Sequence, residues 1–291
     1  MALRFEDDFL RRLGYLRVIS SRDFAGRNRA DRRTRRRGRG IEFADHRPYT
    51  PGDDIRHIDW KAYNRLRRLL LLLFEEERDL PIYLTLDLSA SMAEPRKFDL
   101  ARQVVAAICY VGLAHLDRVR VLAFAGGELV QELAPGRGKG RIFRVFQMLE
   151  SLRATGPTNL RDTFKTFGSR PRPAGLVVVV SDFLDPEGFE KALKILRTRG
   201  HDVAVVHVAS PADRDPSAFG EVRFVDAETG LARELHVTPR LAAAHARAWD
   251  AHAEQLARFC ARYGIKHVRA DVGRPIDDLM LKGFRQGRVL E

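Results

Sequence analysis

The spacing of apolar residues changes several times along this chain, and each change predicts an element. Residues 5–20 place Phe5, Phe9, Leu13 and Leu16 close to helical spacing. Residues 66–77 are ambiguous: leucine, arginine and glutamate favour a helix by propensity, while the short length and Pro81 allow a strand. From Leu80 onward apolar strands alternate with amphipathic helices. Strands are predicted at 82–86, 118–124, 128–133, 176–180, 203–208 and 266–272, the run Val177-Val178-Val179-Val180 being apolar enough for a parallel strand covered on both faces. Helices are predicted at 98–115, 141–152, 160–167, 187–199, 239–263 and 276–284. Residues 222–225 and 231–237 flank Asp226-Ala227-Glu228-Thr229-Gly230, a hairpin signal. Strand–helix alternation of this kind predicts right-handed βαβ units and a mostly parallel, twisted sheet. No internal repeat is visible.

The 291 residues and their 45% apolar content allow one large α/β domain with an extension. The expected division is an N-terminal extension at 1–79 and the α/β domain at 80–291. The net charge of +12 is concentrated. Residues 22–39 hold nine arginines against Asp23 and Asp31, which reads as a local arm rather than a basic domain. The two cysteines, Cys109 and Cys260, imply no disulfide framework and are expected as buried hydrophobes. No signal peptide is visible, and the Leu69–Phe74 run is too short to span a bilayer. A soluble, cytoplasmic protein is expected.

The candidate chemistry lies at predicted strand ends. Asp87 ends the first strand of the alternating region, with Ser89 and Ser91 on the turn that follows. Thr158 lies in Thr155-Gly156-Pro157-Thr158, a loop opening a helix, and Asp182 directly follows a buried strand. These are the C-terminal ends of parallel strands, where open α/β sheets place their ligands. Hydroxyls and carboxylates without sulfur or imidazole suit a hard divalent cation. Two carboxylates alone in a pocket repel, and a cation relieves that repulsion. For Asp87, Ser89 and Ser91 alone, helix capping is an equally good account; Thr158 and Asp182 tip the balance towards metal.

Asp87-x-Ser89-x-Ser91, the Gly-x-Thr turn at Thr158 and Ser181-Asp182 together resemble the metal-ion-dependent adhesion site of von Willebrand factor type A domains. The resemblance implies a Rossmann-like domain with helices on both faces of the sheet. It also implies Mg²⁺, with Mn²⁺ or Ca²⁺ as alternatives, held by Asp87, Ser89, Ser91, Thr158 and Asp182 and completed by a partner's carboxylate. Pro157 departs from the pattern, a glycine being frequent there. Upstream, the run from Arg47 to Trp60 (Arg-Pro-Tyr-Thr-Pro-Gly-Asp-Asp-Ile-Arg-His-Ile-Asp-Trp) and Glu75-Glu76-Glu77-Arg78 resemble domain-of-unknown-function family fifty-eight. That family implies a bacterial, non-enzymatic scaffold or adaptor accompanying a MoxR-type AAA+ ATPase in protein maturation or remodelling.

Plainer accounts compete at other positions. Asp53, Asp54, Arg56 and Asp59 are expected as a buried salt-bridge knot with Trp60 and Tyr49 as core anchors; a partner-binding role for Asp54, Arg56 and Asp59 is the minority reading. His207 is expected as a hydrogen-bonded core histidine, and His245 and His252 as packing residues. Gly136-Arg137-Gly138-Lys139-Gly140 lacks the ending of a phosphate loop and is expected as a linker. The arginine arm would make a nucleic-acid binder the first alternative function. A Mg-dependent phosphohydrolase is the second, although Ser89 stands where its second acid would be.

Overall fold

The computed structural model describes residues 5–20, 42–75, 80–215 and 220–291. The arginine arm therefore lies outside the described residues. Two compact bodies are present, and the division differs from the expected break at 79/80: residues 5–20 cluster with 80–291, leaving 42–75 as the described part of the second body.

In the larger body, α1 (Asp7–Leu13) is shorter than the expected 5–20 helix. Beyond it the chain runs extended and exchanges backbone hydrogen bonds with the C-terminus, Arg17 with Glu291 and Ile19 with Val289. His115 Nε2 lies 2.8 Å from the Leu16 carbonyl, a further tie to the large domain.

The smaller body is built on β1 (Glu42–Pro48), α2 (Trp60–Leu66) and β2 (Leu70–Glu75). β1 and β2 pair antiparallel, which resolves the ambiguous leucine run as a strand. The acidic residues between them are local caps rather than a buried knot. Asp59 accepts from the Lys61 and Ala62 amides at the start of α2 and meets His46 Nε2 at 2.7 Å. Asp54 accepts from the Arg56 amide and guanidinium, and Asp53 pairs with Arg47 at 2.6 Å. These contacts hold the Asp53 and Asp59 carboxyls below their usual range, Arg47 being the largest cause for the first and the Ala62 amide for the second. The Arg56 side chain is 82% exposed. Trp60 is 58% exposed, so it is not the expected core anchor.

The larger body continues with β3 (Pro81–Asp87), α3 (Pro95–Ala114), β4 (Arg118–Ala125) and β5 (Glu128–Gly136). Then come α4 (Ile142–Ser151), α5 (Leu160–Ser169), β6 (Leu176–Ser181), α6 (Glu190–Thr198) and β7 (Asp202–Ala209). A short α7 (Pro211–Arg214) precedes the hairpin β8 (Gly220–Val225) and β9 (Ala232–Val237), followed by α8 (Pro239–Arg262) and β10 (Lys266–Asp271). The stretch 276–286 closes the chain, with a π turn at its centre. Residues 136–141 are the end of β5 and a 3-10 turn, not a free linker.

The sheet order is β10-β7-β6-β3-β4-β5, parallel except for β5 at the edge. β6 and β7 are buried at every residue, as two-sided coverage requires. One face carries Tyr83, Val177, Val179, Val203 and Val205 against Phe164 and Phe167 of α5, Leu193 and Leu196 of α6 and Leu256 of α8. α3 packs on β3, β4, β6 and β7, and both α1 and α4 pack against it. The approach of α3 is close: a Cβ on Gly112 would lie 2.8 Å from Val119 and 3.0 Å from Ile82. Among the described residues, no helix is long and apolar enough to cross a membrane.

His207 of β7 is buried, with its ring beside those of Trp249 and His267. Its Nδ1 has no hydrogen-bond partner among the described residues, so it is not the satisfied histidine expected. Burial, then the neighbouring His267 and Arg269, push its pKa down to about 3. The unfolded chain therefore binds a proton that the native state refuses, and the stability held above pH 6.5 is lost as pH falls. Between pH 6.5 and 5 this single group should cost about 2 kcal/mol. His207→Leu should remove that slope, measured as urea midpoints across the interval.

Candidate functional site

The central strand β3 has β4 on one side and β6 on the other, so the chain reverses its direction across the sheet between β3 and β6. In open α/β sheets this switch point forms a crevice above the strand ends. Asp87 stands at the end of β3 and Ser181-Asp182 at the end of β6.

Hydrogen bonds tie the two ends together. Ser181 Oγ donates to Asp87 Oδ2 at 2.6 Å, and the Ser89 amide donates to Asp87 Oδ1 at 2.8 Å. The Phe183 amide in turn donates to Ser181 Oγ. Phe183 itself has φ 58°, a left-handed conformation that costs a bulky residue about 1–2 kcal/mol. Its fully buried ring, edge-on to Phe189, holds that turn in place.

The Thr158 loop is bound to the same turn by backbone. The Thr155 and Gly156 amides donate to the Leu88 carbonyl, the Ala90 amide donates to Gly156 O at 2.7 Å, and Ser89 and Gly156 form an isolated parallel bridge. A Cβ on Gly156 would lie 2.5 Å from Ala125 Cβ, so this contact requires glycine. The structure thus brings Asp87, Ser89, Ser91 and Asp182 into one hydrogen-bonded cluster, with the Thr158 loop strapped against it.

Helix capping does not account for the serines. Ser89 precedes a 3-10 turn yet makes no side-chain cap, and α3 begins only at Pro95, with Glu94 at its N-cap position. Ser89 Oγ lies 3.0 Å from Ser91 Oγ. Asp87, Ser89 and Asp182 are all essentially inaccessible to solvent.

The electrostatics contain a residue the sequence reading missed. Lys97 of α3 is completely buried. Its Nζ donates to Asp182 Oδ2 at 2.7 Å, to Asp213 of α7 at 3.0 Å and to the Ser91 carbonyl at 3.1 Å. Burial alone would lower its pKa, but Asp182 and then Asp213 carry it above the ordinary lysine value. Among the described residues, no hydrogen bond joins Asp87 to such a cation. Desolvation first, then repulsion from Asp182, push its pKa up to about 7, against the lowering effect of Ser181 and Ser89. Three carboxylates, Asp87, Asp182 and Asp213, thus stand with one ammonium, which contacts the last two. Full ionisation of these four groups leaves a net charge of −2, which a divalent cation would balance.

Glu228, at the tip of the β8–β9 hairpin, also reaches this site: its Oε2 accepts from the Thr158 amide at 2.8 Å. Among the described residues there is no group of three or more His, Cys, Asp or Glu side chains positioned to hold a metal. Any cation here would depend on the serine and threonine hydroxyls as well as carboxylates. Asp54, Arg56 and Asp59 belong to the other body. Cys109 and Cys260 are buried thiols, as expected; burial raises both, Cys260 to about 12.

Residues 45–255 match the family described as Protein of unknown function DUF58, and the chain belongs to that family. The uncharacterized protein Rv1480 of Mycobacterium tuberculosis is 30% identical over 229 residues, covering 76% of this chain and 71% of its own. The uncharacterized protein MAV169 of Mycobacterium avium is 36% identical over 102 residues, 34% of this chain and 60% of that one. Among solved structures, BatB from Bacteroides thetaiotaomicron aligns with a TM-score of 0.44 at 16% identity, over 72% of this chain and 98% of that one.

Proposed function

We propose that residues 80–291 form a von Willebrand factor A-like module that binds another protein through a divalent cation, Mg²⁺ in the first instance. The observation that carries this reading is the Ser89–Ser91 pair. Octahedral Mg²⁺ with oxygens at about 2.0–2.1 Å places neighbouring ligands roughly 2.9 Å apart, and these hydroxyl oxygens lie 3.0 Å apart. Ser89, Ser91 and Thr158 would supply hydroxyls, while Asp87 and Asp182 supply the negative charge. The bound cation would offer a hard acceptor site for a carboxylate from the partner. Asp87 fits this role because its burial already disfavours a bare charge.

The resulting activity is a scaffold or adaptor function. The resemblance to family fifty-eight favours a MoxR-type AAA+ ATPase as the partner, hydrolysing ATP on the scaffold's behalf in protein maturation or remodelling. A cytoplasmic location follows from that partnership.

The test is the double variant Ser89→Ala/Ser91→Ala. Titration calorimetry should show Mg²⁺ affinity falling on the order of 100-fold. Chelation should release the ATPase from the wild-type chain in a pulldown, and the variant should fail to capture it. Equal Mg²⁺ affinity in variant and wild type would refute the assignment.

A further inference from the structure

Glu228 is placed with unusual care for a hairpin tip. Asp226 Oδ1 accepts from the Glu228 amide at 3.0 Å and the Thr229 amide at 2.7 Å, and the Gly230 amide closes the turn on the Asp226 carbonyl. Gly230 takes φ 71°, which suits glycine. The turn directs the Glu228 side chain onto the loop carrying Thr158, where Oε2 accepts the Thr158 amide. The other carboxylate oxygen, Oε1, is buried and has no hydrogen-bond partner among the described residues. Leaving a buried acceptor unpaired costs about 1–3 kcal/mol, and more when it is charged. A cation beside the Thr158 loop would satisfy that oxygen.

We infer that Glu228 is an internal acidic ligand: the β8–β9 hairpin supplies in cis the carboxylate that a partner would otherwise bring, so the hairpin occludes the site until it is displaced. This inference rests on the metal reading of the site. The chemistry is consistent at each position, since a carboxylate on this hairpin is the same ligand as one brought by another protein. A tethered acid has the advantage of high effective concentration. The hairpin is nevertheless displaceable, because a two-stranded ribbon is marginally stable alone. Phe224, Val225, Leu231 and Leu235 on this hairpin are exposed rather than packed.

The experiment compares the 291-residue chain with its Glu228→Gln variant, which keeps an oxygen for the Thr158 amide and loses the charge. Mn²⁺ alone is the probe, followed by calorimetry and by hydrogen exchange of the backbone amides. In the wild type, Mn²⁺ should slow exchange at Thr158 and across 226–231. In Glu228→Gln, affinity should fall at least tenfold and the added protection at 226–231 should disappear. Glu228→Ala should behave like Glu228→Gln. Wild-type Mn²⁺ binding that both variants reproduce within twofold, with protection of the hairpin retained, overturns the internal ligand and leaves the metal site standing. Absence of Mn²⁺ binding by the wild type overturns the metal reading itself, and this inference with it.

Discussion

Replacing Lys97 with Met should lower the unfolding free energy by about 3–5 kcal/mol, the usual cost of removing one partner from a buried ion cluster. Met matches the length and apolar stem of lysine, so the loss would come from the charge and not from a cavity. Asp182 and Asp213 would be left facing each other across the vacated ammonium position, both now without the cation that meets them at 2.7 and 2.9 Å. The α3–α7 connection would go with it, since Lys97 links the first turn of α3 to Asp213. The thermal midpoint should drop by roughly 10 °C. The companion variant Lys97→Met/Asp182→Asn/Asp213→Asn should recover most of that loss, because the cost lies in the uncompensated carboxylates. Chemical denaturation of the three proteins decides the matter. A single variant as stable as the wild type would mean that the cluster is solvated in solution.

Asp87, Ser89, Ser91 and Asp182 are legible in the sequence because they stand at or just beyond the ends of apolar strands, the most readable points of an α/β chain, whereas the Thr158 loop follows α4 and no strand leads into it. Lys97 is not legible in this way. A lysine in the first turn of a helix reads as solvent-exposed, and its burial follows only from Asp182 and Asp213, respectively 85 and 116 residues away, folding onto it. Ser181 was visible beside Asp182, but its bond to Asp87 depends on β3 and β6 being neighbours, which sequence order does not reveal. Glu228 lay within a recognised hairpin signal; where the tip lands is a tertiary fact. The Leu70–Glu75 strand illustrates pairing overriding propensity: its residues favour a helix, and β1 supplies the ladder that makes it a strand. The acidic residues at 53–59 suggest a knot from sequence, yet each has a backbone amide within three positions. Local caps of this kind need no burial.

Asp87→Asn should separate stability from function in opposite directions. In the metal-free native state Asp87 holds its proton up to about pH 7, whereas an unfolded aspartate releases it near the ordinary value of 3.8. Between these values the folded state binds more protons than the unfolded state, so the group's contribution to stability falls as pH rises. Asn carries no charge to desolvate. It can still accept the Ser89 amide, and its amide group can donate to Ser181 Oγ. In EDTA at pH 8 the variant should therefore be more stable than the wild type, by roughly 2–4 kcal/mol; at pH 4 the two should converge. Millimolar Mg²⁺ should reverse the order at pH 8, stabilising the wild type by mass action and leaving the variant unchanged. Urea midpoints at pH 4 and 8, each with EDTA and with Mg²⁺, give the four comparisons. A variant that is less stable than the wild type in EDTA at pH 8, and that still gains stability from Mg²⁺, would show that Asp87 is a structural hydrogen-bond acceptor and not a charge reserved for a cation.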